Sequence, residues 1–336
     1  MSEEYLLSID FKDKLKQQYE ESKGRYERLV DEVLYFLRDI LRKKGIKVHS
    51  LTHRESKIKT FASFYDKIVR QNVKHGFLEA VEDIAGVRII CLYRSDLKRM
   101  GENISKEFDA VRVDTSRTRT ESPFGYASDH YIVKLPKGCT GPRYDDIKNL
   151  KCEIQVRTIL MDAWASVSHH LDYKQEVDVP TNLRADFNAL SGLFYVADTH
   201  FELFRDGIDR SRTFLMQSIQ QDSFDLNQEI NLDSLTAYFK KRFRQRKKNW
   251  SEPSLVVSEL RRHGYETLHD LDAKINIASP VLKELERKDS ESEKEFWSPD
   301  GLIRVCLDLT DDKYFEKRRL SGRYFMLVNQ YRSKLR

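Results

Sequence analysis

The segment KCEIQVRTILMDAW, Lys151–Trp164, joins a short strand to the start of a helix. In its first half, Glu153, Gln155 and Arg157 alternate with apolar residues at the two-residue period of a β-strand. These polar side chains therefore share one face, and a sheet face of this composition is typical of a wet cleft rather than of a packed core. Glu153 is thus a candidate metal ligand or general base, and Arg157 is a candidate clamp for phosphate.

Apolar patterns on both sides of this segment predict further strands and helices. The predicted elements are strands at 87–93, 110–114 and 129–135, and helices over 12–44, 57–71 and about 182–221. Strands interleaved with helices indicate an α/β or α+β domain.

The polar segment 222–231 has weak periodicity and is predicted to separate two domains, residues 1–222 and 223–336. The second domain is predicted to be mostly helical. Its predicted elements are helices over 232–244, 254–263 and 268–275 and a short strand at 306–309. The role of this module is left open between inhibition of the first domain, RNA binding and formation of a homo-oligomer.

Composition excludes several classes of protein. The 336 residues carry a net charge of only +5, so the chain is not a polybasic protein. No apolar run approaches the roughly 18 residues of a transmembrane helix, and the acidic, mixed segment Met1–Phe11 does not resemble a secretory signal. Four scattered cysteines without a CxxC pair fit reduced thiols, so we expect a cytoplasmic protein with no membrane contact.

Basic residues are concentrated in Lys240–Lys248, with the sequence KKRFRQRKK. Such a run can contact RNA through its phosphates, or it can be a solvated helix face. Both interpretations stay open.

A second basic cluster lies near the predicted helix at 57–71. Lys57, Lys59, Ser63 and Lys67 place three cations and a hydroxyl at short spacing, which suits a triphosphate. The alternative is again a solvated basic face.

Two further motifs surround predicted strands. Asp83 immediately precedes a buried strand and is either a Mg²⁺ ligand or a cap. In Phe124–Tyr131, with the sequence FGYASDHY, Tyr126 can stack on a base and His130 lies nearby, or both can belong to ordinary strand packing.

Together, EDIAGVRI at 82–89, GYASDH at 125–130 and EIQVRT at 153–158 resemble the RelA/SpoT-type alarmone synthetase domain. The resemblance extends over roughly 26–215, and EIQVRT is its most specific part. It implies an enzyme that transfers the pyrophosphate of ATP to the 3′-hydroxyl of GDP or GTP to make (p)ppGpp. It also implies an α+β fold similar to polymerase-β-type nucleotidyltransferases, with a mixed sheet flanked by helices.

The resemblance implies roles for the residues on the ATP side. Lys57 stands where the family usually has an arginine on the ATP phosphates. Lys59, Ser63 and Lys67 match the other ATP-binding residues, and Asp83 matches the aspartate that binds Mg²⁺.

On the acceptor side, Tyr126 matches the tyrosine that stacks on the acceptor base, and His130 matches the histidine beside it. Glu153 matches the glutamate that is thought to activate the acceptor hydroxyl and to help hold the metal. Arg157 belongs to the same motif and is assigned to acceptor binding.

The loop before Tyr126 departs from the family pattern. Ser122 and Phe124 stand where many members have a lysine and an asparagine or serine, which leaves guanine recognition open, and Arg117 and Arg119 are alternative sources of positive charge. Too few residues precede Lys57 for the hydrolase domain of the long bifunctional enzymes, so we expect a short, synthetase-only type.

Two other functions compete with (p)ppGpp synthesis. One is a toxic enzyme of the same family that pyrophosphorylates adenosine nucleotides or the 3′ end of tRNA. The other is a degenerate module that only binds nucleotide or RNA. The presence of Asp83, Tyr126 and Glu153 argues against the degenerate module.

Overall fold

The computed structural model describes residues 9–115, 128–170, 180–221, 223–244, 250–289, 297–320 and 322–336. The chain divides into two compact units, Met1–Arg205 and Asp206–Arg336. The division predicted from sequence, at residue 222, stays a prediction, and both divisions leave the sheet in the first part.

The first unit contains a five-stranded mixed sheet. Its strands are β1 (Val48–Ile58), β2 (Ala85–Cys91), β3 (Asp109–Asp114), β4 (Asp129–Lys134) and β5 (Cys152–Thr158). The strand order is β1-β2-β5-β4-β3; β2 and β5 are parallel, and the other neighbouring strands are antiparallel.

Helices flank this sheet. They are α1 (Ile9–Lys44), α2 (Phe61–Arg70), α3 (Phe77–Ala80), α4 (Arg94–Glu107), α5 (Ile159–His170) and α6 (Arg184–Gln220), of which α6 continues past residue 205. On β5, Ile154 and Val156 are fully buried in the core, whereas Gln155 and Arg157 keep partial exposure. The predicted α+β fold, a mixed sheet flanked by helices, is confirmed.

Strand β1 was not predicted from the sequence. Its residues, VHSLTHRESKI, are mostly polar because it is an edge strand that pairs only with β2. The helix predicted over 57–71 is wrong at its start, since Lys57 and Ile58 belong to β1 and α2 begins at Phe61. Thr60 fixes that start: its side chain accepts a hydrogen bond from the backbone N–H of Ser63.

The second unit is helical, as predicted. Its helices after α6 are α7 (Leu232–Arg242), α8 (Pro253–Arg262), α9 (Leu268–Asp289), α10 (Pro299–Thr310), α11 (Asp312–Arg318) and α12 (Gly322–Leu335). Leu235, Leu260, Leu271, Leu302 and Val328 are completely buried in its core.

The short strand predicted at 306–309 is wrong, because these residues form the last turns of α10. A run of apolar residues does not by itself distinguish a buried strand from a helix that is buried on all sides. Helix α10 is of the second kind, since nearly every residue from Leu302 to Leu309 is buried.

No helix in the described parts of the chain combines the length and the apolar character needed to cross a membrane.

Candidate active site

Two parallel neighbouring strands bring the predicted carboxylates together. Residue Gly86 of β2 pairs with Glu153 of β5, and Asp83 lies just before the start of β2. Since paired residues of neighbouring strands point to the same side of a sheet, Glu153 projects beside the end of β2 where Asp83 is held. Both side chains are largely buried, with 14% of Asp83 and 11% of Glu153 exposed.

Asp83 forms ion pairs with two of the residues that are predicted to bind phosphate. The Nζ atoms of Lys59 and Lys67 each lie 2.9 Å from a carboxylate oxygen of Asp83. Burial alone would raise the pKa of Asp83, but the hydrogen bonds and charges of the two lysines outweigh it and lower the pKa to about 2. Asp83 is therefore ionised at neutral pH and is paired with the ammonium groups of Lys59 and Lys67.

Glu153 is held by its neighbours on the sheet. His130 Nδ1 lies 2.8 Å from Oε1 of Glu153, and Gln155 Nε2 donates to Oε2 at 2.8 Å. Burial raises the pKa of Glu153, but the hydrogen bond and charge of His130 prevail, so the pKa lies below its ordinary value. The carboxylate is thus negatively charged and oriented.

Arg54 of β1 spans the two carboxylates. One of its guanidinium nitrogens, Nη2, lies 3.6 Å from Asp83 and 3.5 Å from Glu153. The arginine side chain passes directly over Gly86, where a Cβ atom would lie 2.9 Å from the arginine Nε. Any larger residue at this position would force the guanidinium to shift.

A second group of charges lies farther along β2 and β5. Arg88 and Arg157 both contact Asp162 of α5, at 3.0 and 3.3 Å, and Arg157 also donates to Gln155 at 2.9 Å. Burial, together with the nearby charge of Arg88, lowers the pKa of Arg157 to about 10. Its buried Nε has no hydrogen-bond partner in the described part of the chain.

The remaining ATP-side residues, Lys57 and Ser63, have other hydrogen-bond partners. Lys57, whose φ of 59° is in the left-handed region, donates to Asp31 of α1 at 2.8 Å. Ser63 is engaged at the start of α2, where Thr60 donates to its hydroxyl at 3.2 Å. Of the four residues predicted to bind phosphate, Lys59 and Lys67 thus pair with Asp83, whereas Lys57 and Ser63 have other partners.

Several predicted residues lie outside the described ranges. Tyr126 and the loop residues Arg117, Arg119, Ser122 and Phe124 are among them. So is the last part of the basic run Lys240–Lys248, from residue 245 onward.

Comparison with known proteins identifies the family. A model of a region found in RelA / SpoT proteins matches residues 56–178. The protein named GTP pyrophosphokinase YwaC, from Bacillus subtilis (strain 168), is 33% identical over 153 residues, which cover 44% of this chain and 70% of the relative. The chain belongs to the RelA/SpoT family.

Other members of the RelA/SpoT family are also similar. GTP pyrophosphokinase YjbM of Bacillus subtilis (strain 168) is 30% identical over 129 residues, which cover 38% of this chain and 59% of the relative. The crystal structure of Bacillus subtilis small alarmone synthetase 1 bound to its product pppGpp aligns with 57% of this chain and 99% of its own, at 25% identity and a TM-score of 0.47. Small alarmone synthetase 2 from Bacillus subtilis aligns with 56% of this chain and 98% of its own, at 27% identity and a TM-score of 0.47.

Two arginines of this RelA/SpoT-family site were missed by the sequence analysis. Arg88 could have been found, because it is the one charged residue in the strand predicted at 87–93, and a charged side chain is rarely buried unless it is paired. Arg54 gives no such signal, since its position depends on the pairing of β1 with β2.

Proposed function

We propose that the chain is a nucleotide pyrophosphokinase that transfers the pyrophosphate of ATP to the 3′-hydroxyl of GDP or GTP, giving AMP and (p)ppGpp. The observation that carries this proposal is the Asp83–Glu153 pair beside Lys59 and Lys67 on one face of the sheet. Family membership supports it, since two relatives carry the name GTP pyrophosphokinase.

Lys59 and Lys67 are proposed to bind the ATP phosphates, together with Lys57 and Ser63. Ammonium groups act as point charges on phosphate oxygens. The ion pairs of Lys59 and Lys67 with Asp83 support this role, because a carboxylate that holds Mg²⁺ and the phosphates that Mg²⁺ neutralises must lie close together.

The donor set fits Mg²⁺. Among the described residues there is no cluster of three or more His, Cys, Asp or Glu side chains that could hold a metal. Mg²⁺ is commonly bound by only one or two carboxylates, with substrate phosphates and water completing its shell. Asp83 and Glu153 would hold the ion, which would neutralise charge on the phosphates when bound.

Glu153 is proposed to be the general base. Its pKa is lowered, so the carboxylate is ionised and can accept the proton of the acceptor 3′-hydroxyl. The 3′-oxygen then bonds to the β-phosphorus of ATP, the bond from that phosphorus to the bridging α–β oxygen breaks, and AMP leaves with the electron pair. His130 holds Glu153 in place during this step.

The acceptor is proposed to bind toward the far end of the same face. Arg157 and Arg88 lie there, both paired with Asp162. Their positive charge suits the acceptor's phosphates. Tyr126 is proposed to stack on the acceptor base, as the family resemblance implies.

Label transfer tests this function. The purified full chain is incubated with γ-labelled ATP and, in separate reactions, with GDP, GTP, ADP, ATP or deacylated tRNA. Label on GDP or GTP is expected. Label only on adenosine nucleotides or tRNA would instead establish the toxic type of enzyme, and nucleotide binding with no transfer would establish a binding module.

Contact of RNA with Lys240–Lys248, a homo-oligomer and a cytoplasmic location stay predictions. In the described part of the run, Arg242 donates to Asn276 at 2.6 Å and so is already engaged within the helical unit. Lys240 and Lys241 are partly exposed.

A further inference from the structure

We propose that Arg54 is a displaceable counter-ion, which occupies the gap between Asp83 and Glu153 until a divalent metal replaces it. This inference rests on the proposed function, because that function makes the two carboxylates metal ligands. Arg54 is a positioning residue in this role, and it controls when the metal can bind.

The backbone geometry of β1 directs the Arg54 side chain toward the gap between Asp83 and Glu153. Between His53 and Ile58 the pairing of β1 with β2 shifts register, and Lys57 takes a positive φ within the same stretch. Such irregularities re-aim the side chains of a strand. The guanidinium thereby crosses over β2 at Gly86, the residue that has no side chain to obstruct it.

The contacts of Arg54 are shared and long. Its Nη2 lies 3.6 Å from Asp83 and 3.5 Å from Glu153, whereas charge-assisted hydrogen bonds are about 2.7–2.9 Å long. The attraction is therefore mainly Coulombic, without the directional bonds that would lock the guanidinium in place. Lys59 and Lys67, in contrast, lie 2.9 Å from Asp83.

Within the described part of the chain, Arg54 is the one cation that forms ion pairs with both carboxylates. Two neighbouring carboxylates repel each other, and one cation between them offsets that repulsion. A divalent ion held by Asp83 and Glu153 would need the same space. The guanidinium and the metal therefore compete for one position.

This competition predicts an order of binding. A free metal ion must displace Arg54 without offering the guanidinium another anion. This requirement lowers the affinity of the free metal ion for the two carboxylates. A metal that arrives with ATP brings phosphates, which give the displaced guanidinium a new partner. Metal and nucleotide should thus strengthen each other's binding.

The test is Mn²⁺ binding by the full chain without nucleotide, followed by electron paramagnetic resonance of the free ion. Arg54→Met and, as a second neutral variant in case Met disturbs folding, Arg54→Gln should bind Mn²⁺ at least about tenfold more tightly than the unmodified chain. Arg143→Met is the matched control. It removes a guanidinium paired with Glu32 on α1 and should leave the Mn²⁺ affinity within twofold.

A second set of variants separates this inference from the proposed function. Asp83→Asn, combined with Arg54→Met, should abolish the tightened binding. If both Arg54 variants keep the original affinity while Asp83→Asn weakens it, Arg54 does not compete with the metal, and the inference fails while the metal site stands. If Asp83→Asn changes nothing in the Arg54→Met chain, Mn²⁺ binds elsewhere and the inference fails as well. Label transfer by the unmodified chain decides the proposed function independently.

Discussion

The imidazole of His130 lies 2.8 Å from the carboxylate of Glu153 on the neighbouring strand. In the antiparallel pairing of β4 with β5, His130 stands opposite Gln155, which itself donates to Glu153 at 2.8 Å. Two strands therefore hold one carboxylate from two sides. This arrangement keeps Glu153 charged in a largely buried position and fixes its direction, as a general base requires.

Glu153→Gln should separate binding from chemistry. The amide keeps the shape of the side chain but cannot accept the proton of the acceptor hydroxyl, so we expect kcat to fall by about 10²–10⁴ while ATP still binds. Steady-state kinetics and a nucleotide-binding titration measure the two effects. Glu82→Gln is the matched control, because Glu82 neighbours Asp83 but pairs with Lys151 and Arg112. Undiminished turnover by Glu153→Gln would remove the residue from the role of base.

Local pattern was sufficient to predict which polar side chains of β5 share one face. On β5 the two-residue alternation placed Glu153, Gln155 and Arg157 together, and the structure shows Gln155 bonded to both of the others. Alternation is a property of the strand itself and needs no knowledge of its neighbours. The strand β5 and the helix α1, which were predicted from such patterns alone, are both present in the structure.

Contacts between strands were not predictable in the same way. Arg54 reaches Glu153 only because β1 pairs with β2, β2 pairs with β5, and β1 shifts register near Arg54. None of these relationships can be predicted from a short stretch of sequence. For a related reason the prediction of a strand at 306–309 is wrong, since the burial of these residues on all sides of α10 depends on the surrounding helices.

Tyr126→Ala should affect the acceptor far more than ATP. Loss of base stacking is worth ~1–3 kcal/mol, so we expect the KM of the acceptor to rise roughly tenfold or more while that of ATP changes little. Initial rates with each nucleotide varied in turn measure this difference. Tyr126→Phe keeps the ring and should keep the acceptor KM. An unchanged acceptor KM in the alanine variant would show that the base does not stack on residue 126.

Two glycines should respond differently to alanine. At Gly86 the new Cβ meets the end of the Arg54 side chain at 2.9 Å, and that side chain can move, so we expect a loss below about 1 kcal/mol in the free energy of unfolding. At Gly101 in α4 the Cβ would lie 2.0 Å from the hydroxyl of Tyr131, which is buried. Overpacking there should cost about 1–3 kcal/mol net, despite alanine's higher helix propensity.

Urea unfolding of the two glycine variants measures these costs, and each serves as the control for the other. A larger loss for Gly86→Ala than for Gly101→Ala would mean that the Arg54 guanidinium is fixed rather than displaceable.

Asp308 should increase the free energy of unfolding of the helical unit as the pH falls from 7 to 4. It is completely buried in α10, bonded to Arg318 at 2.6 Å and to Tyr324 at 3.0 Å. Burial nevertheless raises its pKa to about 6. Because this value exceeds that of an unfolded aspartate, near 3.9, the folded chain binds the proton more tightly. The contribution of Asp308 to the free energy of unfolding therefore declines as pH rises from 4 to 7.

Comparison with Asp308→Asn isolates this contribution, because the amide does not titrate. The free energy of unfolding of the unmodified chain minus that of the variant should fall by ~2 kcal/mol between pH 4 and pH 7, most of it below pH 6. Urea unfolding at several pH values, followed by tryptophan fluorescence, measures the difference. Asp233→Asn, which changes a partly exposed carboxylate paired with Arg212 in the same unit, is the matched control. A difference that stays constant or rises with pH would show that the ion pair with Arg318 outweighs burial and keeps Asp308 ionised throughout.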